Sequence, residues 1–146
     1  MTDDLSLQSY IILHNTARKL HFLARIRSKS EGIPQELGRT LNAISHKNGR
    51  CTAKDFAAHL RITAPSATMK INNLLEEGLV KKRLVSQDHR SFFLEITEKG
   101  EKLRQQINRQ NIEVGSRIFS SFSTQQKKDF VKMLQIIDRE IDRQIE

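Results

Sequence analysis

Residues 51–100 read CTAKDFAAHLRITAPSATMKINNLLEEGLVKKRLVSQDHRSFFLEITEKG. Thr52 and Asp55 have the spacing of a capping box, in which each side chain accepts a hydrogen bond from a backbone N–H at the start of a helix. Thr63 is placed to cap a second helix, and Pro65 is tolerated in its first turn because the missing N–H has no partner there. The spacing predicts two short helices whose inner faces carry Phe56, Ala57, Leu60, Ala67, Ile71 and Leu74.

The segments after Gly78 are strand candidates, and the second of them has the two-residue period of a strand. Leu79–Val85 is the first strand candidate, and residues 92–97 are the second. A polar loop, Ser86–Ser91, joins them. Two short helices followed by a hairpin with a charged tip predict a winged helix-turn-helix, in which the second helix enters a DNA groove and the hairpin forms a wing.

The chain on either side of this stretch has helical periodicity. A first helix is predicted over Leu5–Ser30 and a second over Gln35–Lys47, while Thr97 caps a fifth and Ser123 caps a sixth. The last helix carries an apolar stripe that no later element covers, so we expect it to dimerise. The predicted dimerisation residues are Phe130, Leu134, Ile137, Ile141 and Ile145.

These elements predict a mainly α fold with a small β-hairpin wing, a winged helix-turn-helix plus a helical dimerisation region. We expect residues 1–146 to form a single domain. Within it, residues 35–100 form the winged-helix lobe, and residues 1–34 and 101–146 supply the dimerisation helices.

Composition favours a polyanionic partner, because the 146 residues carry a net charge of +8 and the pI is near 9.9. One cysteine allows no internal disulfide, which is typical of a reducing cytoplasm. No apolar run approaches the ~20 residues of a membrane helix, and the acidic N-terminus does not resemble a signal peptide. We therefore expect a cytoplasmic protein with no membrane partner.

The pattern from about Leu41 to Leu103 resembles the MarR family of bacterial transcription regulators. The resemblance is carried by five parts at family-like spacings. The first is Thr52, Phe56, Ala57 and Leu60 on the first short helix, and the others are Ile62–Ser66 (ITAPS), Leu74–Val80 (LLEEGLV), Asp88–Arg90 (DHR) and Leu94–Gly100 (LEITEKG). It implies a homodimer with intermixed terminal helices, recognition helices in two major grooves and wings at the flanking minor grooves. It also implies a small-molecule pocket between the dimer helices and the DNA-binding lobe. In contrast to many members, the chain has Met69 where they carry a basic residue.

The candidate DNA contacts lie on the second short helix and on the wing. Hydroxyls can donate to phosphates or base edges, methyl-bearing side chains can meet thymine methyls, and a wing arginine can enter a narrow minor groove. A solvated strand face is the alternative for the basic run at residues 81–83, and an ion pair between Asp88 and Arg90 that shapes the loop is the alternative at the tip. The candidates are Thr63, Pro65, Ser66, Thr68, Met69, Lys70, Lys81, Arg83, Asp88 and Arg90.

A ligand pocket is predicted near the junction of the first, second and fifth helices, with His14, Arg18, Phe22 and Leu41 as its lining. No cofactor is expected beyond such an effector. His14 and His21 lack the cysteine or carboxylate that a metal set needs, so no metal site is predicted. Cys51 lies before a helix N-terminus, a place that favours thiolate, which makes redox sensing an alternative.

The predicted function is a dimeric, sequence-specific transcription regulator, a ligand-responsive repressor that binds a palindromic operator. The alternative is an architectural or protein-interaction winged-helix protein without a small-molecule effector. No nucleophile–base spacing and no glycine-rich phosphate loop is present, so no enzymatic activity is predicted. The expected partners are double-stranded DNA, a second copy of the chain and a small-molecule ligand.

Overall fold

The computed structural model describes residues 4–85 and 91–145. In chain order its elements are α1 (Asp4–Glu31), α2 (Gln35–Ser45), α3 (Ala53–Leu60), α4 (Ala64–Glu76), β1 (Val80–Leu84), β2 (Phe92–Ile96), α5 (Glu98–Ile118) and α6 (Thr124–Ile145). The predicted fold class, mainly helical with one antiparallel hairpin, is confirmed. No helix within the described ranges has the length and apolar character to cross a bilayer.

The helix-turn-helix is defined by its caps. The hydroxyl of Thr52 accepts a hydrogen bond from the Asp55 N–H at 3.0 Å, and the Asp55 carboxylate accepts one from the Thr52 N–H at 3.1 Å. The predicted capping box is therefore present. Arg61 ends α3 with a left-handed backbone (φ 53°), and the Thr63 hydroxyl accepts from the Ser66 N–H at 3.4 Å to start α4.

Of the predicted boundaries that differ from the structure, two have a clear structural cause. We expected α2 to reach Lys47, but it ends at Ser45, because Asn48 and Gly49 have positive φ angles of 47° and 77° and the preceding residues form a turn. We expected the first strand to begin at Leu79, but the Leu79 N–H donates to the carbonyl of Leu74 at 2.9 Å. That bond closes α4, so β1 begins one residue later, at Val80.

The core of the winged-helix lobe lies between α2, α3, α4 and the hairpin. Its completely buried members include Leu41, Phe56 and Leu94. Cys51 is buried with them and forms an isolated bridge to Leu94, whose N–H donates to the Cys51 carbonyl at 2.7 Å. The start of α3 is thereby tied to the inner strand of the wing.

Gly100 lets the start of α5 approach the hairpin closely. A Cβ at this position would lie 2.1 Å from the carbonyl oxygen of Leu79, so no larger residue fits without moving backbone. The Thr97 hydroxyl donates to the Gly78 carbonyl at 2.7 Å and accepts from the Gly100 N–H at 3.1 Å. Thr97 therefore caps α5, as predicted, and also joins it to the end of α4.

The chain divides into two compact units, Met1–Asn108 and Arg109–Glu146, and the boundary falls within α5. In the second unit, Ser123 and Gln126 form the predicted cap of α6, with bonds of 2.8 and 3.1 Å. Phe119, Phe122 and Phe130 form an aromatic cluster with ring centroids 5.4–6.2 Å apart. The described residues of α6 include none that is buried in the single chain.

Candidate nucleic-acid interface

Helix α4 presents an exposed outer face opposite its core residues. Ala67, Ile71 and Leu74 are buried, which fixes the rotation of the helix about its axis. Met69 is consequently 61% exposed, and the rest of the outer face is exposed as well. That face consists of Pro65, Thr68, Met69, Asn72 and Asn73.

The hydroxyl groups at the start of α4 are partly engaged within the helix. The Thr63 hydroxyl donates to the Ser66 hydroxyl at 3.0 Å, and the Thr68 hydroxyl donates to the Ala64 carbonyl at 3.0 Å. Ser66 retains its own hydroxyl proton, which suits a phosphate acceptor. Thr68 has lone pairs to offer, which suits a donor on a base edge such as the amino group of adenine or cytosine.

Lys70 is paired with an element that sequence reasoning did not connect to it. Its ammonium Nζ lies 2.7 Å from the carboxylate of Glu36 at the start of α2. The hydrogen bond from Lys70 is the main reason that the pKa of Glu36 lies below its ordinary value. The pair borders a surface cavity of about 140 Å³ whose wall includes Thr40 and Asn73.

The basic run on β1 faces a carboxylate across the hairpin. Lys81 stands opposite Glu95 in the strand register, with 3.6 Å between ammonium and carboxylate. Arg83 also pairs with Glu95, donates to the Gly49 carbonyl at 2.8 Å, and has its guanidinium 5.2 Å from the centre of the Phe93 ring. The hydrogen bond from Arg83 is the largest cause of the lowered pKa of Glu95.

Glu95 and Glu36 are the members of this surface that the sequence analysis missed. The alternation of the two strands was a signal for Glu95, because cross-strand neighbours of opposite charge pair. Lys82, the middle residue of the run, lies with its ammonium 4.4 Å from the centre of the Phe92 ring. Asp88 and Arg90, the predicted residues of the wing tip, lie outside the described residues.

The predicted ligand residues do not come together as a lining. His14, Arg18 and Phe22 lie on exposed parts of α1, and the His14 ring stacks on Tyr10 with centroids 6.2 Å apart. Leu41, in contrast, is completely buried in the lobe core. Its side chain is packed against core residues and is not accessible to a ligand in this structure, so the role of Leu41 as a ligand contact stays a prediction.

Cys51 does not have the thiolate character that its position before a helix suggested. Burial is the main cause that raises the pKa of its thiol, to about 11, and the nearby Asp55 carboxylate adds to the effect. The thiol is therefore protonated at neutral pH, which argues against the redox-sensing alternative.

Comparison with known proteins places this geometry among DNA-binding regulators. The family model described as MarR family matches residues 32–91. A curated relative, the HTH-type transcriptional regulator BilQ of Clostridium symbiosum, is 29% identical over 107 residues, which are 73% of this chain and 74% of that protein.

Two solved structures share the fold over nearly the whole chain. One is the MepR–DNA complex of Staphylococcus aureus, with a TM-score of 0.73, 19% identity and coverage of 90% of this chain and 96% of that chain. The other is the MarR protein of the same species in complex with salicylate and kanamycin, with a TM-score of 0.82, 17% identity and coverage of 97% and 95%. At these identities the likeness concerns the fold.

Proposed function

Because this chain belongs to the MarR family of winged helix-turn-helix transcription regulators, we propose that it regulates transcription by binding palindromic DNA as a homodimer. It is a DNA-binding regulator and not an enzyme. The observation that carries the proposal is the exposed outer face of α4, which its buried face turns away from the lobe core. A helix presented in this way, with a basic strand on the following wing, suits the major groove.

The proposed homodimer forms through the terminal helices. Leu134, Ile137 and Ile141 of α6 are exposed in the single chain, and Phe130 is half-buried because it contacts Phe119 and Phe122. Fully burying a large aliphatic side chain is worth about 1.5–3 kcal/mol, and each of these partly exposed side chains would contribute a fraction of that to an interface. A two-fold dimer places its recognition helices one DNA turn apart, roughly 34 Å, which matches half-sites about 10 base pairs apart.

We propose repression by occlusion of polymerase, released by a small-molecule effector, in the cytoplasm. A solved relative binds salicylate, which makes a small aromatic anion a reasonable probe. His14 and Arg18 offer polar and cationic groups beside the apolar Phe22 on α1, and we keep these three as candidate effector contacts. No resident cofactor is part of the proposal.

Selection from a library of random duplexes tests sequence-specific binding. The expected outcome is enrichment of a palindrome with half-site centres about 10 base pairs apart, protected as one short footprint. Met69→Ala serves as the matched variant, because it alters only the outer face of α4. We expect it to change the enriched sequence or weaken its binding while the fold is kept. Diffuse enrichment without a palindrome would favour the architectural alternative.

A further inference from the structure

We propose that Glu36 and Glu95 are intramolecular competitors of DNA phosphates, which hold Lys70 and Lys81 in the free protein and release them when DNA binds. The inference rests on the proposed function, because it assumes that the surface around α4 and β1 meets DNA. It adds two acidic residues that limit affinity for any duplex. Neither was among the residues that sequence reasoning assigned to DNA contact.

The first pair joins α2 to the recognition helix. Lys70 follows the exposed Met69 on α4, so its Cα lies at the edge of the outer face. Its ammonium nevertheless points to Glu36, 2.7 Å away, and Glu36 is exposed to solvent. The cavity of about 140 Å³ beside the pair gives water and anions access to both groups. Lys70 is therefore held by an exchangeable partner, and a phosphate can take the place of the carboxylate.

The second pair lies on the wing. The side chain of Lys81 is 64% exposed and its ammonium is 3.6 Å from Glu95, a loose contact. Arg83 differs, because it keeps the Gly49 carbonyl and the Phe93 ring as partners apart from Glu95. Glu95 therefore has a positioning role toward Arg83 and a competing role toward Lys81, and a Lys81→Gln background removes the competing role alone.

The physical consequence follows from counterions. A lysine that neutralises a phosphate releases a cation condensed on the DNA, and this release drives binding at low salt. When Lys70 leaves Glu36 for a phosphate, the bare carboxylate recruits a cation from solution and repels the nearby backbone. The cation taken up by the carboxylate offsets the cation released from the DNA. Each competing carboxylate therefore lowers both the affinity for DNA and the salt dependence of that affinity. Because exposed ion pairs add little to stability, removing the carboxylate leaves the lobe folded.

The experiment measures binding of the full-length protein to a mixed-sequence duplex of about 30 base pairs across a range of salt. Glu36→Gln keeps the shape of the side chain and removes its charge. We expect affinity to rise roughly threefold to tenfold for the two sites of a dimer, by the scale of exposed ion pairs. We also expect the log–log salt slope to steepen by up to about 1.8, which is 0.9 for each protomer.

Two control variants test whether a gain in Glu36→Gln comes from the release of Lys70. Glu76→Gln removes a carboxylate at the last turn of α4 that has no ion pair among the described residues, so it controls for a change in net charge. Lys70→Gln removes the cation, and in that background Glu36→Gln is expected to give no further gain. Glu95→Gln is the independent second test, with its gain expected to vanish in a Lys81→Gln background.

The outcomes separate the inference from the function on which it rests. A wild-type protein that binds no duplex at any salt would overturn both. Binding by the wild type with no gain in Glu36→Gln or Glu95→Gln, both folded, would overturn the inference alone. A gain in Glu76→Gln equal to that in Glu36→Gln, or one that survives Lys70→Gln, would assign the effect to net charge and also overturn it.

Discussion

In the winged-helix lobe, Leu41, Phe56 and Leu94 are completely buried, whereas in α6 Ile137 and Ile141 remain 37% and 47% exposed. Both regions are rich in large apolar residues at helical or strand spacing, so their sequence patterns are alike. They differ in whether the rest of the same chain supplies a cover. The lobe completes its core from α2, α3, α4 and the hairpin, while α6 keeps apolar area exposed, which the proposed second copy would cover.

The largest expected effect is on dimerisation, from a substitution in the exposed apolar stripe of α6. Ile137 is 37% exposed in the single chain, so a partner can add only about a third of the ~1.5–3 kcal/mol of full burial, on the order of 0.5–1 kcal/mol for each protomer. The larger loss in Ile137→Asp comes from the carboxylate set against apolar surface, where an unpaired buried charge costs on the order of several kcal/mol. We expect the dimer dissociation constant to rise by at least about 100-fold. Sedimentation equilibrium measures this directly, and binding to a palindromic duplex should fall with it.

Arg139→Asp is the matched control for that substitution. Residue 139 lies on nearly the opposite face of α6 from Ile137, since two residues turn a helix by about 200°. It is exposed, and we expect a dimer of nearly wild-type affinity. If both variants dissociate alike, or if Ile137→Asp remains dimeric, the stripe is not the dimer interface.

A somewhat smaller effect is expected on stability, from a substitution in the buried core of the winged-helix lobe. Phe56→Ala removes a completely buried ring and leaves a cavity, which typically costs about 3–5 kcal/mol in the free energy of unfolding. Urea denaturation followed by circular dichroism gives the change. Met69→Ala, a truncation at an exposed position of the same lobe, is expected to stay within about 0.5 kcal/mol of wild type. Equal losses in the two variants would mean that burial does not distinguish these sites.

The smallest expected effect concerns an ion pair within the first turns of α5. The Glu101 carboxylate accepts hydrogen bonds from Arg104 at 2.6 and 2.8 Å and from Gln105 at 2.9 Å. Arg104 is the main cause that lowers the pKa of Glu101 to about 2. A lowered pKa stabilises the folded state above the ordinary value of 4.5, and this contribution is lost as the pH falls toward 2.

We therefore expect Glu101→Gln to flatten the acid dependence of stability between pH 4.5 and about 2. Arg104→Met should flatten the same window, because it removes the donor, and the double variant should add nothing further. Thermal melts at several pH values provide the measurement. An unchanged acid dependence in both single variants would show that the pair contributes nothing to folding.

Local signals in the sequence predicted the helix starts well. Thr52 with Asp55, Thr97 with Gly100 and Ser123 with Gln126 are caps whose partners are three residues apart, so a short window contains the whole interaction. The end of α2 was less predictable, because the two-residue difference depends on how Asn48 and Gly49 turn toward the wing. The covering of α6 was predicted from its stripe alone, and it remains a prediction.

Contacts between distant residues were beyond the sequence. Glu36 and Lys70 are 34 residues apart, and only the folding of the lobe brings their side chains together. Leu41 lies on the apolar face of α2. Its neighbours in the sequence do not show whether such a residue lines a pocket or packs in the core. The candidate DNA face of α4 was predictable, since its three buried residues determine the opposite side. The ion pairs that occupy its cations were not.

Cys51 makes the lobe a natural reporter of its own opening. It is the single cysteine of the chain, it is completely buried, and burial raises the pKa of its thiol to about 11. The thiolate is the nucleophile that attacks a thiol reagent, so labelling of the unmodified protein must wait for the wing and α3 to separate. The labelling rate then measures how often the lobe opens, and the measurement needs no engineered probe. Because bound DNA stabilises the closed lobe by mass action, the rate of Cys51 labelling should fall as duplex is added.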